Sequence, residues 1–294
     1  MEKKKTTKDL EKAIEKMHIG GSIQFVECFH NFLDIALSYF CNNMNERQMA
    51  LRKRVEENED FRKAYQEALE AYGDCAENYK DPMGDMFMDK ISHGQHGQFF
   101  TPEDLCELSA NIVLGNDFYD GMTINDPTSG SGRMLLKALQ IAREVHGKEP
   151  LLYANDLSMT CAKMCLLNFL VNSVDGEVTC GDALKLDWEN FTFFKIDKVR
   201  NIATGAVFST YWQYTTADVE KVSEKRQKWF LWIAQYGWIK YQRFNQLRDD
   251  GDGYVNVVVK GGKLNEPSIK KIYEEPTPLP TEVKVGENNQ YELF

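Results

Sequence analysis

The chain has 294 residues, of which 43% are hydrophobic and 12% aromatic, a content that allows one substantial core and a smaller accessory domain. It contains no run of about 20 apolar residues, and a charged segment follows Met1–Lys5, so we expect neither a membrane span nor a signal peptide and place the protein in the cytoplasm. A formal net charge of −10 argues against binding to DNA by counterion release alone.

The first part of the chain has the pattern of amphipathic helices. From about residue 8 to 80, apolar residues recur every three or four positions, as in Val26, Phe29, Leu33, Ala36 and Phe40. A more charged helix is predicted over Asn45–Tyr72, with breaks at Gly73 and at Asp81–Gly84. These features predict an N-terminal helical domain over residues 1–90.

Short apolar runs alternate with amphipathic helices from about residue 91 to 190. The predicted elements in chain order are a strand at Met122–Asp126, a helix at Arg133–Val145, a strand at Leu151–Asn155, a helix with Ser158 as its N-cap, and a strand at Glu177–Cys180. This alternation is typical of βαβ units, so we predict an α/β fold with a parallel sheet.

The pattern weakens after residue 190. Lys228–Trp238 is rich in aromatic residues and is predicted to be a buried helix. Asp249–Gly253 lacks the ligand spacing of a calcium loop, so a hairpin turn before the strand Tyr254–Val259 is predicted instead. We assign residues 91–260 to the α/β domain and 261–294 to an extended C-terminal tail.

Cysteine and histidine do not form a metal-binding pattern. The seven cysteines include no CxxC pair, and Cys161 and Cys165, four positions apart, have no histidine nearby. His93 and His96 have no carboxylate or thiol next to them. We therefore predict reduced, buried thiols and no metal site.

A glycine-rich turn follows the first predicted strand of the α/β region. Gly130 and Gly132 lack Cβ atoms, so a ligand can approach the backbone there, and the first N–H groups of the next helix face outward. An NAD site would require a small residue in place of Leu135, and the Gly-Lys-Ser/Thr of a P-loop is missing. The turn suits a nucleotide or adenosine ligand.

Three acids stand at the ends of three consecutive predicted strands: Asp126, Asp156 and Asp182. Asp156 is where an acid would bind ribose hydroxyls, and Asp182, followed by Ala183, is where an adenine ring would lie. A single aspartate of this kind is commonly a loop residue or an N-cap, but three in succession favour a ligand site.

Two motifs in this region resemble those of a known family. Gln98-Phe-Phe-Thr-Pro102 followed by Asp126-Pro-Thr-Ser-Gly-Ser-Gly132 is similar to the paired signature of N6-adenine DNA methyltransferases, particularly the modification subunits of type I restriction systems. The resemblance spans about residues 91–187. It implies a Rossmann-like, S-adenosylmethionine-dependent methyltransferase core with an N-terminal helical domain.

The resemblance also implies roles for individual residues. The first motif would close over the methionine end of the cofactor, the glycine-rich turn would hold it from below, and the two later acids would bind its ribose and adenine. The residues expected to bind S-adenosylmethionine are Gln98, Phe99, Phe100, Thr101, Pro102, Asp126, Pro127, Thr128, Ser129, Gly130, Gly132, Asp156, Leu157, Asp182 and Ala183. For the first motif, a loop ending in a helix that begins at Pro102 is a compatible alternative.

The substrate motif of that family is missing. Its members carry Asn-Pro-Pro-Tyr or Asn-Pro-Pro-Phe after the fourth strand, which binds a flipped adenine. The corresponding stretch, Trp188–Ala206, contains no proline, and Asn190 and Asn201, the two asparagines there, are predicted to be surface loop residues. No catalytic residue is assigned. Either the chain binds the cofactor without methylating adenine, or other residues hold the acceptor amine.

Two hypotheses follow from these observations. In the first, the chain is an S-adenosylmethionine-binding DNA adenine-N6 methyltransferase homologue of a restriction-modification system, which contacts DNA through a specificity subunit and forms a hetero-oligomer or a homodimer. In the second, it is a catalytically inactive regulatory or assembly protein of a mobile element. Methylation of small molecules or proteins is a third, more remote alternative.

Overall fold

The computed structural model describes most of the chain. The described residues are 4–18, 24–92, 100–114, 118–183, 191–200, 207–215, 244–249, 255–259 and 262–263. Within them, the N-terminal helices are α1 (Thr7–Glu15), α2 (Phe25–Ser38), α3 (Glu46–Glu57), α4 (Glu59–Ala76) and α5 (Pro82–Phe87), which a π-helical turn (Met88–Ser92) continues. The helices that follow are α6 (Glu103–Leu114), α7 (Arg133–Glu144) and α8 (Met159–Val171).

The single charged helix predicted over Asn45–Tyr72 is wrong, because Asn58 divides it into α3 and α4. The backbone of Asn58 is extended (φ −117°, ψ 113°), and its side-chain Oδ1 accepts a hydrogen bond from Phe61 N at 2.9 Å. Asparagine favours this N-cap geometry over the helix interior. The break predicted at Gly73 is also wrong, since α4 continues to Ala76.

Strands β1 (Thr123–Asp126), β2 (Leu151–Asp156) and β3 (Asp175–Cys180) form the parallel part of a five-stranded sheet. Their positions, and those of α7 and α8, confirm the predicted βαβ units and the α/β fold. Ser158 is the N-cap of α8, as predicted, and its hydroxyl accepts a hydrogen bond from Cys161 N.

An antiparallel hairpin, which the sequence analysis did not predict, completes this sheet. β4 (Thr192–Arg200) pairs antiparallel with β3, and β5 (Val207–Thr215) pairs with β4, giving the strand order β1-β2-β3-β4-β5. β1 therefore lies at one edge of the sheet in the described part of the chain.

At the other edge, the segment after α2 contacts β5. Asn42 N donates to Tyr211 O at 2.9 Å, Asn43 Nδ2 donates to Gln213 O at 2.6 Å, and Gln213 N donates to Asn43 Oδ1 at 2.8 Å. Both the backbone and the side chains of this segment thus cover the polar edge of β5.

One continuous apolar core joins the N-terminal helices to the sheet. Phe29 and Phe32 of α2 belong to the same buried cluster as Leu166 of α8, Leu152 of β2 and Phe194 of β4. Helices α1 to α5 fall in the region predicted to be a helical domain. Because their core continues into the sheet, the boundary at residue 90 stays a prediction.

A smaller three-stranded sheet contains β6 (Phe244–Asp249), β7 (Val255–Val259) and β8 (Gly262–Lys263). β6 and β7 are antiparallel, which agrees with the hairpin predicted there, although its turn lies outside the described residues. The predicted helix Lys228–Trp238 and residues 264–294 also lie outside them. Across the described ranges, no helix has the length and apolar character to cross a membrane.

Arg143 joins the C-terminal ends of α7 and α8. Its guanidinium donates to Asn172 O at 2.7 Å and Ser173 O at 3.1 Å, and it forms two hydrogen bonds of 2.9 Å with the Glu149 carboxylate. Replacing Arg143 with alanine is expected to lower the free energy of unfolding by about 2 kcal/mol, because charge-assisted hydrogen bonds contribute more than neutral ones.

Urea denaturation measures this loss. Arg143→Lys keeps the charge but not the planar guanidinium with its several donors, so its free energy of unfolding should fall by roughly half as much. The control is Lys53→Ala at the exposed Lys53–Glu57 pair, where a change of about 0.3 kcal/mol is expected. Equal effects for Arg143→Ala and Lys53→Ala would contradict the prediction.

Candidate functional site

The carboxyl ends of β1, β2 and β3 meet at one edge of the sheet, where the glycine-rich turn leads from β1 into α7. Gly130 (φ 55°) and Gly132 (φ 82°) adopt left-handed backbone conformations, and Gly132 is the N-cap of α7. Ser129 N donates to Asn155 O at 2.8 Å, which joins the turn to the end of β2. Glycine is favoured at both left-handed positions because a Cβ atom would strain the backbone.

Asp156 connects this turn to the start of α8. Its Oδ2 accepts a hydrogen bond from Gly130 N at 2.8 Å, and its Oδ1 accepts one from Ser158 N at 2.8 Å. The sequence analysis expected an acid at this place but not its contacts with the backbone. Each carboxylate oxygen has a second lone pair, so the group can accept further hydrogen bonds from a ligand.

Asp126 lies on β1 beside the turn, where its Oδ1 accepts a hydrogen bond from Thr128 N at 3.0 Å. Burial raises the pKa of the Asp126 carboxyl above its usual value, and the nearby charge of Asp156 adds to the effect. A positively charged or hydrogen-bond-donating ligand would stabilise the charged carboxylate and so offset the free-energy cost of its burial.

The first motif contacts the turn through Phe100. The Phe100 ring stacks on Phe87 with ring centroids 5.8 Å apart and an interplanar angle of 15°. A Cβ atom on Gly130 would lie 2.9 Å from the Phe100 ring, so the absence of a side chain there allows the contact. Thr101 follows, half-buried, and Pro102 precedes α6. The structure thus brings the two motifs together, although Gln98 and Phe99 lie outside the described residues.

The remaining predicted residues lie around the same edge. Pro127 is half-buried and Thr128 exposed, and Asp182 and Ala183 follow β3 in half-buried positions. Leu157, directly after Asp156, is 72% exposed, which is unusual for a leucine next to a buried strand and leaves an apolar surface beside the turn. Asn190 and Asn201 lie outside the described residues.

Asn155 is a site residue that the sequence analysis missed. It is 1% exposed, and its Nδ2 donates to Pro127 O at 3.0 Å and to Gly181 O at 3.1 Å. Its Oδ1 accepts a hydrogen bond from Thr179 Oγ1 at 2.8 Å. One side chain therefore joins the ends of all three parallel strands. The sequence does contain a signal for this role, because Asn155 is a polar residue inside an apolar strand. A buried amide requires hydrogen-bond partners, which indicates contacts with neighbouring strands or loops.

The cysteines near the site take part in no disulfide bond in the described part of the chain. Cys161, Cys165 and Cys180 are free and buried, and burial raises the pKa of the Cys161 thiol to about 12. Such thiols are poor nucleophiles and poor metal ligands. In the part of the chain that the structure describes, no group of three or more His, Cys, Asp or Glu residues could hold a metal ion.

Comparison with known proteins gives matches to methylases. The model of the family described as N-6 DNA Methylase matches residues 79–271. The methylase subunit of type I restriction enzyme MjaVII from Methanocaldococcus jannaschii is 28% identical over 160 residues, covering 49% of this chain and 27% of that protein. The methylase subunit of type I restriction enzyme MpnII from Mycoplasma pneumoniae is 30% identical over 80 residues, covering 27% of this chain and 14% of that protein. The matches thus span about a quarter or less of these relatives.

Two solved structures are also similar in part. A class I S-adenosylmethionine-dependent methyltransferase from Listeria monocytogenes has a TM-score of 0.35 at 16% identity, covering 58% of this chain and 52% of that one. The methyltransferase subunit of a type I restriction-modification system from Streptococcus thermophilus has a TM-score of 0.33 at 21% identity, covering 63% and 41%.

Proposed function

Because the chain belongs to the N-6 DNA methylase family, we propose that it is the S-adenosylmethionine-binding part of a DNA adenine-N6 methyltransferase of a restriction-modification system. The observation that carries this proposal is the contact of Phe100 with Gly130. Phe100 of the aromatic motif lies against Gly130, about thirty residues later, and Asp126 and Asp156 accept hydrogen bonds from the same turn, from Thr128 N and Gly130 N.

The residues at this edge of the sheet fit the proposed cofactor chemically. S-adenosylmethionine carries an ammonium group, a sulfonium and two ribose hydroxyls, and the carboxylates of Asp126 and Asp156 can accept from or neutralise such groups. The exposed Leu157 provides an apolar contact for an adenine ring. When bound, the cofactor would supply an activated methyl group for transfer.

We assign the remaining roles by the same reasoning. Gln98 to Pro102 would cover the methionine end of the cofactor, the backbone from Pro127 to Gly132 would contact it closely, and Asp182 with Ala183 would lie at the adenine. Asn155 positions these loops through its contacts with Pro127 O and Gly181 O.

DNA is the proposed substrate, contacted through a specificity subunit. The net charge of −10 disfavours independent binding to a polyanion, so a partner or a local basic patch must supply the basic surface. The two curated relatives are themselves named as subunits of type I restriction enzymes. A hetero-oligomer with such a partner, or a homodimer, is the expected assembly.

A second function is favoured by one specific observation, namely that β4, the strand that follows β3 in the described part of the chain, pairs antiparallel with β3. The 294 residues also contain no Asn-Pro pair. A protein of this kind would bind S-adenosylmethionine for assembly or regulation without transferring its methyl group.

Two measurements distinguish these functions. Calorimetry of the purified chain with S-adenosylmethionine should give saturable binding, with a Kd on the order of 1–100 μM, which corresponds to about −8 to −5.5 kcal/mol. Incubation of the chain with unmethylated DNA and methyl-labelled cofactor, with and without a co-expressed specificity subunit, should label adenine N6. Binding without labelling in either case supports the regulatory function, and the absence of binding contradicts both.

A further inference from the structure

Asp81 is a buried carboxylate that contacts the glycine-rich turn at Ser131, whereas Asp156 contacts it at Gly130. It is the N-cap of α5, its side chain is fully buried, and its Oδ1 accepts hydrogen bonds from Gly84 N at 3.0 Å and Asn168 Nδ2 at 2.9 Å. The sequence analysis treated Asp81–Gly84 only as a helix break. Because fifty positions separate Asp81 from Ser131, the sequence alone does not predict their contact.

The other oxygen of Asp81 binds two residues of the turn. Oδ2 accepts a hydrogen bond from the Ser131 hydroxyl and two from Arg133, from Nη2 at 3.2 Å and Nε at 3.3 Å. Ser131 and Arg133 are the neighbours of Gly132 on either side. Ser131 is 1% exposed, so its hydroxyl points to the interior rather than to the ligand side of the turn.

Two further residues support this arrangement. Asn168 of α8 donates from the same Nδ2 to Ser131 O at 3.0 Å, so it binds both Asp81 and the turn. A Cβ atom on Gly84 would lie 1.9 Å from Asp81 Oδ2 and 2.7 Å from Ser131 Oγ. The Asp81–Ser131 contact therefore requires glycine at position 84.

A buried carboxylate with several donors strongly favours one geometry of those donors. Loss of Arg133 or the other donors would leave the fully buried carboxylate of Asp81 unsatisfied, so the groups bound to Asp81 have little freedom to move apart. Asp81 thus couples the N-terminal helices to the loop conformation, while Asp156 holds the same loop from the sheet.

We infer that Asp81 is a positioning residue that sets the conformation of the Gly130–Gly132 turn, and through it the affinity for S-adenosylmethionine. This inference rests on the proposed function as far as the ligand is concerned. The conformation of the turn does not depend on a ligand and can be measured separately.

The test compares Asp81→Asn with the matched variant Asp34→Asn. Asp34 is similarly buried and accepts from Arg47 Nε at 2.7 Å and Lys163 Nζ at 2.5 Å, and thereby joins α2 to α3 and α8 rather than to the turn. In Asp81→Asn the amide accepts through one oxygen only, and Arg133 keeps only the exposed carboxylate of Asp85, at 2.6 Å, as its counter-ion. Both variants should lose stability, but only Asp81→Asn should alter the turn.

Two readouts are used below the unfolding temperature of each variant. Hydrogen exchange of the ligand-free protein should be about tenfold faster in peptides covering residues 127–132 in Asp81→Asn, and unchanged there in Asp34→Asn. Calorimetry should show about tenfold weaker binding of S-adenosylmethionine for Asp81→Asn, and less than a twofold change for Asp34→Asn.

The outcomes separate the two levels of the proposal. Faster exchange at the turn in Asp81→Asn, with no cofactor binding by the wild type, would keep the positioning role and refute the proposed function. Wild-type exchange and affinity in Asp81→Asn, or equal changes in both variants, would overturn the inference. If Asp81→Asn does not fold, Ser131→Ala removes a single donor and should show a smaller change in the same direction; an unchanged turn would then overturn the inference.

Discussion

Replacing Asp156 with alanine is expected to weaken the binding of S-adenosylmethionine about 100-fold. The proposed hydrogen bonds from the two ribose hydroxyls to this carboxylate, worth about 1.5 kcal/mol each, are lost. One carboxylate holds both Gly130 N and Ser158 N, so its removal frees the turn and the start of α8 together. Calorimetry at constant ionic strength measures the change.

The control for this variant is Asp120→Ala. Asp120 also accepts a backbone hydrogen bond, from Glu149 N at 3.0 Å, but it lies before β1, at the amino-terminal edge of the sheet. Its replacement should leave cofactor affinity within about twofold of the wild type while lowering stability by about 1 kcal/mol. Similar affinities for the wild type and Asp156→Ala would refute the role of Asp156.

Replacing Gly132 with alanine is expected to lower the free energy of unfolding by about 3 kcal/mol. The left-handed backbone at φ 82° accounts for about 1 kcal/mol of this loss. The new Cβ atom would also lie 2.6 Å from Cys165 Sγ, and overpacking of this kind costs about 2 kcal/mol more. Urea denaturation followed by circular dichroism measures the loss, and cofactor affinity should fall as well because the turn must shift.

Gly147→Ala separates the two contributions. Gly147 has a similar φ of 62°, but a Cβ atom there would meet nothing within 4 Å, so the backbone strain of about 1 kcal/mol should be its whole effect. Combining Gly132→Ala with Cys165→Ala should recover about 1–2 kcal/mol relative to the sum of the single variants. If Gly132→Ala and Gly147→Ala lower the free energy of unfolding equally, the contact with Cys165 does not contribute to the effect of Gly132→Ala.

The α/β part of the fold was predictable because its signals are local. α7 carries apolar residues at helical spacing, β2 and α8 are apolar over most of their length, and short loops join them. The carboxyl ends of parallel strands meet at one edge, so the strand order along the chain was sufficient to predict that Asp126 and Asp156 would lie close together.

The contacts that sequence reasoning missed are long-range or depend on a single polar atom. Asp81 is separated from Ser131 by fifty positions, and its Asp-Pro-Met-Gly context is also that of an ordinary helix start. The direction of β4 does not follow from the pattern within the strand, because parallel and antiparallel strands share the same period of two. Asn58 divides α3 from α4 by one side-chain hydrogen bond, which competes closely with continuation of the helix.

The pairing of Asn43 with Gln213 has a consequence during synthesis of the protein. The two residues are 170 positions apart, so a ribosome that adds about 5–20 residues per second reaches Gln213 on the order of 10–30 s after it has made Asn43. Throughout that interval, the segment after α2 has no strand to pair with. The nascent N-terminal helices can pack against one another early, but their joint core with the sheet is completed only after the β4–β5 hairpin has emerged.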